Sequence, residues 1–307
     1  MGRIYRAEQP ALERMVAVKV IHPHLAGDPG MAARFLIEAR ALSRLNHPNA
    51  VTVYAFGNMP AGQPYLVMQL LRGKPLSLVH EDEGPLPFDR IIDILSQVLA
   101  ALEQAHSMSI VHQDVKPDNI IIERLRSRSD LVKVIDFGLA YLLAETAETA
   151  ELLSSPTVGG TPAYMSPEHA RGERVDGRSD LYSVGVMLYE LLTGRLPFVA
   201  ASTTETLLAV LNKAPVDPRE LAPQRKIPAV LAEAAMRALS KRAGDRFQTA
   251  GELTFELSKA VTTRFPAADA SRGAPCRACG AGNVQRQAFC GECGAAAANP
   301  KEPLARE

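Results

Sequence analysis

Val16, Val18 and Val20 fall on one side of a short segment, and Ala17, Lys19 and Ile21 fall on the other. Side chains of a strand point alternately to opposite faces, so this period of two predicts a β-strand. His22-Pro23 and Asp28-Pro29-Gly30 predict a turn after it. Residues 31–45 change period: Phe35, Leu42 and Leu45 share a stripe at helical spacing. Two more β-like runs occupy 50–56 and 65–71.

Beyond Arg72-Gly73 the pattern becomes helical. Residues 88–107 predict a long amphipathic helix, and 180–193 are apolar nearly all round, which predicts a buried central helix. Short apolar runs at 110–111, 120–122 and 131–135 lie between them, and further helical patterns follow at 205–212, 229–239 and 249–260. Strands with one helix therefore come first and a mainly helical part second. This is an α+β chain of two lobes, and the cleft between lobes is the expected ligand position.

The 307 residues carry 34 Lys plus Arg and 34 Asp plus Glu, so the formal charge is zero. That balance gives no support to nucleic acid or an anionic membrane as partner. Apolar residues are 47% and charged residues 22%, a globular mix that excludes a mostly disordered chain. No window approaches the ~18 apolar residues of a membrane span. Arg3, Arg6 and Glu8 interrupt any signal-peptide core. All four cysteines lie between 276 and 293, which predicts a reducing, cytoplasmic location with one local metal site.

Two charged residues sit where apolar ones are expected. Glu38 lies three residues after Phe35 and four before Leu42, on the apolar stripe of its helix, and Lys19 lies inside an apolar strand. Buried charges need partners, although a lysine that reaches solvent and a glutamate at the helix edge read equally well from these positions alone. His112-Gln113-Asp114-Val115-Lys116-Pro117-Asp118-Asn119 packs acid, cation and amide between apolar runs. Asp136-Phe137-Gly138 ends the later run, 22 residues beyond Asp114. Acids and an Asn at loop edges suit hard Mg²⁺ ions that also carry phosphate oxygens.

In this order and spacing, residues 2–263 resemble the eukaryotic-like protein kinase family, in its bacterial serine/threonine branch. The resemblance implies a bilobal fold with a small β-rich lobe (1–71) and a mainly helical lobe (72–263). It implies that Lys19 of Val-Ala-Val-Lys holds the ATP α- and β-phosphates, with Glu38 as its helix partner. Asp114 matches the catalytic Asp, Lys116 the cation that meets the transferring phosphoryl, and Asn119 and Asp136 the Mg²⁺ ligands. Lys116 points to Ser/Thr acceptors on protein substrates, while Asp118 reads equally as the partner of a basic substrate residue and as a solvated loop acid. Thr161 in Gly-Gly-Thr-Pro would shape the hydroxyl site, Glu168 would pair with Arg246, and Asp180 would anchor the catalytic-loop backbone while also serving as a helix N-cap. For adenine the resemblance implies the segment Gln69 to Leu71, with Met68 as gatekeeper, Ala17 and Ile121 against the ring, and Ile4 at the roof beside Gly2, while the apolar residues among them read equally as ordinary core packing.

The chain departs from the family at two places. Only Gly2-Arg3-Ile4 remains of the Gly-rich loop, so a longer natural protein is expected, with a first strand and two glycines upstream. Gln113 stands where Arg is usual, so a phosphorylated activation segment, with Ser154, Ser155, Thr157 or Thr161 as acceptor, cannot find that charge partner. A scaffold that keeps the fold without efficient catalysis is the alternative, and a small-molecule kinase a more distant one.

After an Ala-, Gly- and Pro-rich linker (264–274), residues 275–296 hold Cys276-x-x-Cys279-Gly and Cys290-x-x-Cys293-Gly. Four thiolates in this spacing predict a closed structural Zn²⁺ site resembling a short zinc ribbon, with redox cysteines as the other reading. Zinc ribbons can bind nucleic acid, but Arg277 and Arg286 make a thin basic patch, so a protein-contact or regulatory role is expected at least as readily for this module. Residues 297–307 read as a flexible tail.

Overall fold

The computed structural model describes residues 2–21, 39, 43–60, 62–124, 130–137, 162–262, 272–275 and 282–284. The chain divides into two compact units, Met1–Ala260 and Val261–Glu307.

In the first unit, β1 (Gly2–Gln9) and β2 (Arg14–Ile21) form an antiparallel hairpin, in register from Gly2↔Ile21 to Gln9↔Arg14. β3 (Val53–Asn58) and β4 (Pro64–Gln69) complete a four-stranded sheet of order β1-β2-β4-β3. Directly paired residues share a face. Ile4, Lys19 and Leu66 therefore form one cross-strand row, and Ala17 and Met68 lie side by side in the next row of the same face.

A second sheet joins β5 (Lys74–Pro75), β6 (Ile120–Arg124) and β7 (Asp130–Val134). Residues 50 and 51 were expected in the strand at 50–56. Instead Ala50 bridges Val134 in parallel and the Val51 amide donates to the Val134 carbonyl at 3.0 Å, so β3 starts only at Val53. Their apolar character serves the second sheet.

The helical part is built on α2 (Phe88–Ser107) and α4 (Gly177–Thr193), with α1 (Leu76–Glu83) and α3 (Pro167–Ala170) beside the site. α5 (Thr203–Asn212), α6 (Pro218–Leu221), α7 (Ala229–Ala238) and α8 (Ala250–Thr262) follow. α4 buries Leu181 to Tyr189 without interruption, as its all-round apolar pattern predicts. α1 had no expectation in the sequence, since only Leu76 and Val79 of its eight residues are buried. Among the described residues no helix is long and apolar enough to cross a membrane.

In the second unit, β8 (Arg272–Pro275) and β9 (Gly282–Val284) pair antiparallel. Cys276 and Cys279 belong to the segment joining them. All four cysteines lie outside the described residues, as do the C-terminal boundary of the zinc-ribbon-like module, most of the linker and the whole tail.

Candidate active site

The loop between α2 and β6 carries the densest chemistry. Lys116 Nζ donates to Asp114 Oδ2 at 2.8 Å and to Oδ1 at 3.1 Å. Asn119 Nδ2 donates to the Asp114 carbonyl at 2.8 Å and to Oδ2 at 3.0 Å. One carboxylate thus faces a cation and an amide that fix its rotamer, and Asn119 keeps its Oδ1 as an acceptor. The Ile135 amide donates to the Asn119 carbonyl at 2.9 Å, which joins this loop to the residue before Asp136.

Asp136 Oδ1 accepts from Lys19 Nζ at 2.8 Å, across 117 positions of chain, so β2 and the end of β7 meet at this pair. Asp136 and Gln113 hold φ of 48° and 64°. Both are in the left-handed region that non-glycine residues enter at a cost of ~1–3 kcal/mol, and such strain collects at functional sites.

The strain at Gln113 is held by Asp180. The Asp180 carboxylate is fully buried and accepts from the amides of His112 and Gln113, both at 2.8 Å, and bonds His106 Nε2 at 2.7 Å. The expected backbone anchor is therefore in place. The expected N-cap is not: Asp176 caps α4, accepting from the Arg178 amide at 2.9 Å, and Asp180 lies inside the first turn. A group that spends both oxygens on another loop has none left for its own helix end.

His112 is buried, and its Nε2 donates to the Ile135 carbonyl at 3.1 Å while Nδ1 accepts from the Asp114 amide at 3.3 Å. That pattern requires the neutral ring, and burial lowers its pKa accordingly. Its ring packs on Phe137 at 4.5 Å between centroids.

Beside the site, Glu168 receives two parallel bonds from Arg246, Nη1 to Oε1 and Nη2 to Oε2, each 2.7 Å, plus one from the Ser179 hydroxyl. Burial opposes the ionised carboxylate, but the Arg246 and Ser179 bonds outweigh it and hold its pKa at about 2. Tyr164 donates its hydroxyl to Glu190 at 2.6 Å, a contact with no expectation in the sequence.

The acceptor set fits Mg²⁺: Asn119 Oδ1 and the Asp136 carboxylate are hard oxygens on two adjoining segments. Ala17, Met68 and Ile121 are buried, Gln69 and Leu71 are half-buried, and Ile4 is 56% exposed on the Lys19 face of the sheet. Ala17 and Met68 also belong to the continuous hydrophobic core, whereas Ile121 is buried outside the cluster that holds Ile120 and Ile122. Glu38, Thr161, the candidate acceptors Ser154, Ser155 and Thr157, and the Gly2 surroundings lie outside the described residues.

These two lobes, joined at a Lys–Asp pair above an Asp–Lys–Asn loop, have counterparts among known proteins. The family model described as "Protein kinase domain" matches residues 1–247. Serine/threonine-protein kinase pkn3 of Myxococcus xanthus is 42% identical over 257 residues, covering 84% of this chain and 47% of that protein. Serine/threonine-protein kinase PknB of Mycolicibacterium smegmatis is 38% identical, covering 87% of this chain and 42% of that protein. The crystal structure of the Mycobacterium tuberculosis PknI kinase domain superposes with a TM-score of 0.66 at 26% identity, covering 84% of this chain and 91% of that one. The chain belongs to the protein kinase family, with a catalytic domain of the bacterial Hanks type. It spans less than half the length of the curated relatives named here.

Proposed function

We propose that the chain is an ATP- and Mg²⁺-dependent protein serine/threonine kinase. The observation that carries this reading is the Asp114–Lys116–Asn119 cluster joined through Ile135 to the Lys19–Asp136 pair. Asp114 orients the acceptor hydroxyl and takes its proton, and Lys116 offsets charge on the transferring phosphoryl. Lys19 holds the ATP α- and β-phosphates, with Glu38 as partner. Asn119 and Asp136 hold Mg²⁺, which when bound neutralises phosphate charge. Ala17, Met68, Ile121 and Ile4 surround the adenine beside Gln69 to Leu71, Gly2 borders the phosphates, and Thr161 shapes the acceptor side. The exposed Asp118, held by Ser77 at 2.8 Å, suits a basic substrate residue.

Residues 1–263 form the kinase domain in this reading, split at 71/72, with a linker at 264–274, a zinc-binding module at 275–296 and a tail at 297–307. Cys276, Cys279, Cys290 and Cys293 hold one structural Zn²⁺, and the β8–β9 pairing around the first cysteine pair supports a ribbon. The module meets a protein partner, and the protein acts in the cytoplasm. One observation favours the scaffold reading instead: Gln113 replaces the usual Arg.

Radiolabel transfer from ATP to the chain itself and to a generic basic protein, wild type against Asp114→Asn, decides between them. Transfer that falls at least ~100-fold in Asp114→Asn supports the kinase. Equal transfer in both proteins sinks it.

A further inference from the structure

Val132, in the middle of β7, turns its backbone N–H and C=O toward the segment 47–51, yet no backbone group meets them there. Two side-chain amides do. Asn49 Nδ2 donates to the Val132 carbonyl at 2.9 Å, and the Val132 amide donates to Gln97 Oε1 at 3.0 Å. The two amides also bond each other, Asn49 Nδ2 to Gln97 Oε1 at 2.9 Å. Gln97 Nε2 donates to the Asp130 carbonyl at 3.0 Å and to Asp93 Oδ2 at 3.1 Å. Gln97, on α2, thus uses both acceptor and both donor positions of its amide. Asn49 is buried, so each lost bond would leave a polar group unsatisfied.

This knot holds a loop that touches both sides of the cleft. One residue on from Val132, Lys133 Nζ donates to the Ala50 carbonyl at 3.2 Å, and two residues on, the Val134 amide donates to the Asn49 carbonyl at 2.7 Å. β7 then leads directly to Asp136. From its other end, the loop's Thr52 carbonyl accepts from the Gln69 amide at 2.9 Å, at the end of β4. β4 pairs with β2, where Leu66 stands opposite Lys19. The loop therefore bonds both β7, which runs on to Asp136, and β4, the neighbour of the strand that carries Lys19.

We propose that Gln97 is a positioning residue for phosphoryl transfer: with Asn49 it forms an amide clamp that sets Lys19 and Asp136 in register, although it touches neither. The proposal rests on the kinase reading above. A clamp of this kind acts on alignment, so its loss lowers kcat and leaves the peptide KM alone.

The test compares wild type, Gln97→Met, Asn49→Leu and the double variant. Each is followed by steady-state transfer to a basic peptide and by hydrogen exchange at the Val51 and Val134 amides. The expected result is a kcat loss of at least ~10-fold in each single variant with peptide KM unchanged, a double variant no worse than the singles, and joint acceleration of both amides. Retained kcat, or losses that multiply in the double variant, overturn the clamp. Where Gln97→Met does not fold, Gln97→Glu is read the same way, since it keeps shape and acceptor but loses the donor to Asp130. Where wild type itself transfers no phosphate, the kinase reading has failed and exchange alone decides the clamp: unaltered protection at Val51 and Val134 overturns it.

Discussion

Arg246 and Glu168, 78 positions apart, meet through two parallel 2.7 Å bonds, and Arg246 is 1% exposed. The guanidinium spends its other donors on the carbonyls of Ser240, Arg178 and Lys241. It therefore ties α3 to the start of α4 and to the turn before α8. Removing one partner leaves the other charge buried and alone, a loss of ~3–5 kcal/mol. Arg246→Ala and Glu168→Ala should each lower the urea midpoint by that equivalent, and the double variant should lose less than the sum. The Glu168 pKa of about 2, against an ordinary 4.5, adds a sign. A depressed carboxyl stabilises above its unfolded pKa, so this contribution is whole above pH 4.5 and fades as pH falls toward 2. Additive losses, or an Arg246→Ala midpoint equal to wild type, would contradict the pair's role.

Gln113 gives a prediction about control. Its side-chain Nε2 is buried with no hydrogen-bond partner among the described residues, while its backbone is held by Asp180. An amide cannot form the charge pair that a phosphate on the activation segment would seek. Phosphatase-treated and autophosphorylated protein should transfer phosphate at rates within ~2-fold of each other. In Gln113→Arg the phosphorylated form should gain over the treated one. A large phosphate-dependent gain in wild type that disappears in Gln113→Ala would refute this.

Much of the site could be read in the sequence because its residues break local rules: Lys19 interrupts an apolar strand, and acids crowd the loop at 114–119. Helices 88–107 and 180–193 were legible because one face, or every face, is apolar. β1 was not, since residues 3–6 are all exposed and no alternation marks the strand. Ala50 and Val51 misled because an apolar run does not say which sheet it joins. Asp176 and Asp180 both suit a helix start, and only the long-range bonds to His112 and Gln113 separate them. Gln97 and Asn49 carry no sequence signal, because an amide on a half-buried face is ordinary until its four partners are known.

Three histidines set the expected acid response. Burial lowers the pKa of His47, His112 and His169, and at His47 the Lys133 charge adds to it. Each is harder to protonate in the fold than in the unfolded chain. Their contribution is whole above an unfolded pKa of 6.5 and is lost as pH falls below it. Glu190, raised by burial, works the other way, but it is one group against three. Thermal midpoints should fall between pH 7.5 and 5.5. A midpoint that stays level or rises over that range would show the rings to be accessible to protons in the fold.

Two substitutions on α4 should move stability in opposite directions for reasons of packing alone. A Cβ at Gly185 would stand 2.6 Å from the Cβ of Ala238 on α7, and 3.3 Å from that residue's backbone carbon. Neither is the far end of a flexible side chain, so the two helices must separate. Helix propensity favours Ala over Gly by ~1 kcal/mol, but overpacking costs ~1–3 kcal/mol. Gly185→Ala should therefore lose ~1–2 kcal/mol in urea unfolding. Three residues earlier, the Tyr182 hydroxyl is buried without a hydrogen-bond partner among the described residues, while its ring lies under Arg246 at 4.9 Å. Tyr182→Phe keeps the ring and removes the unsatisfied oxygen, so stability should hold or rise by up to ~1 kcal/mol. A destabilised Tyr182→Phe would mean that the hydroxyl has a partner, such as a buried water, and a stabilised Gly185→Ala would mean that α4 and α7 can part without loss.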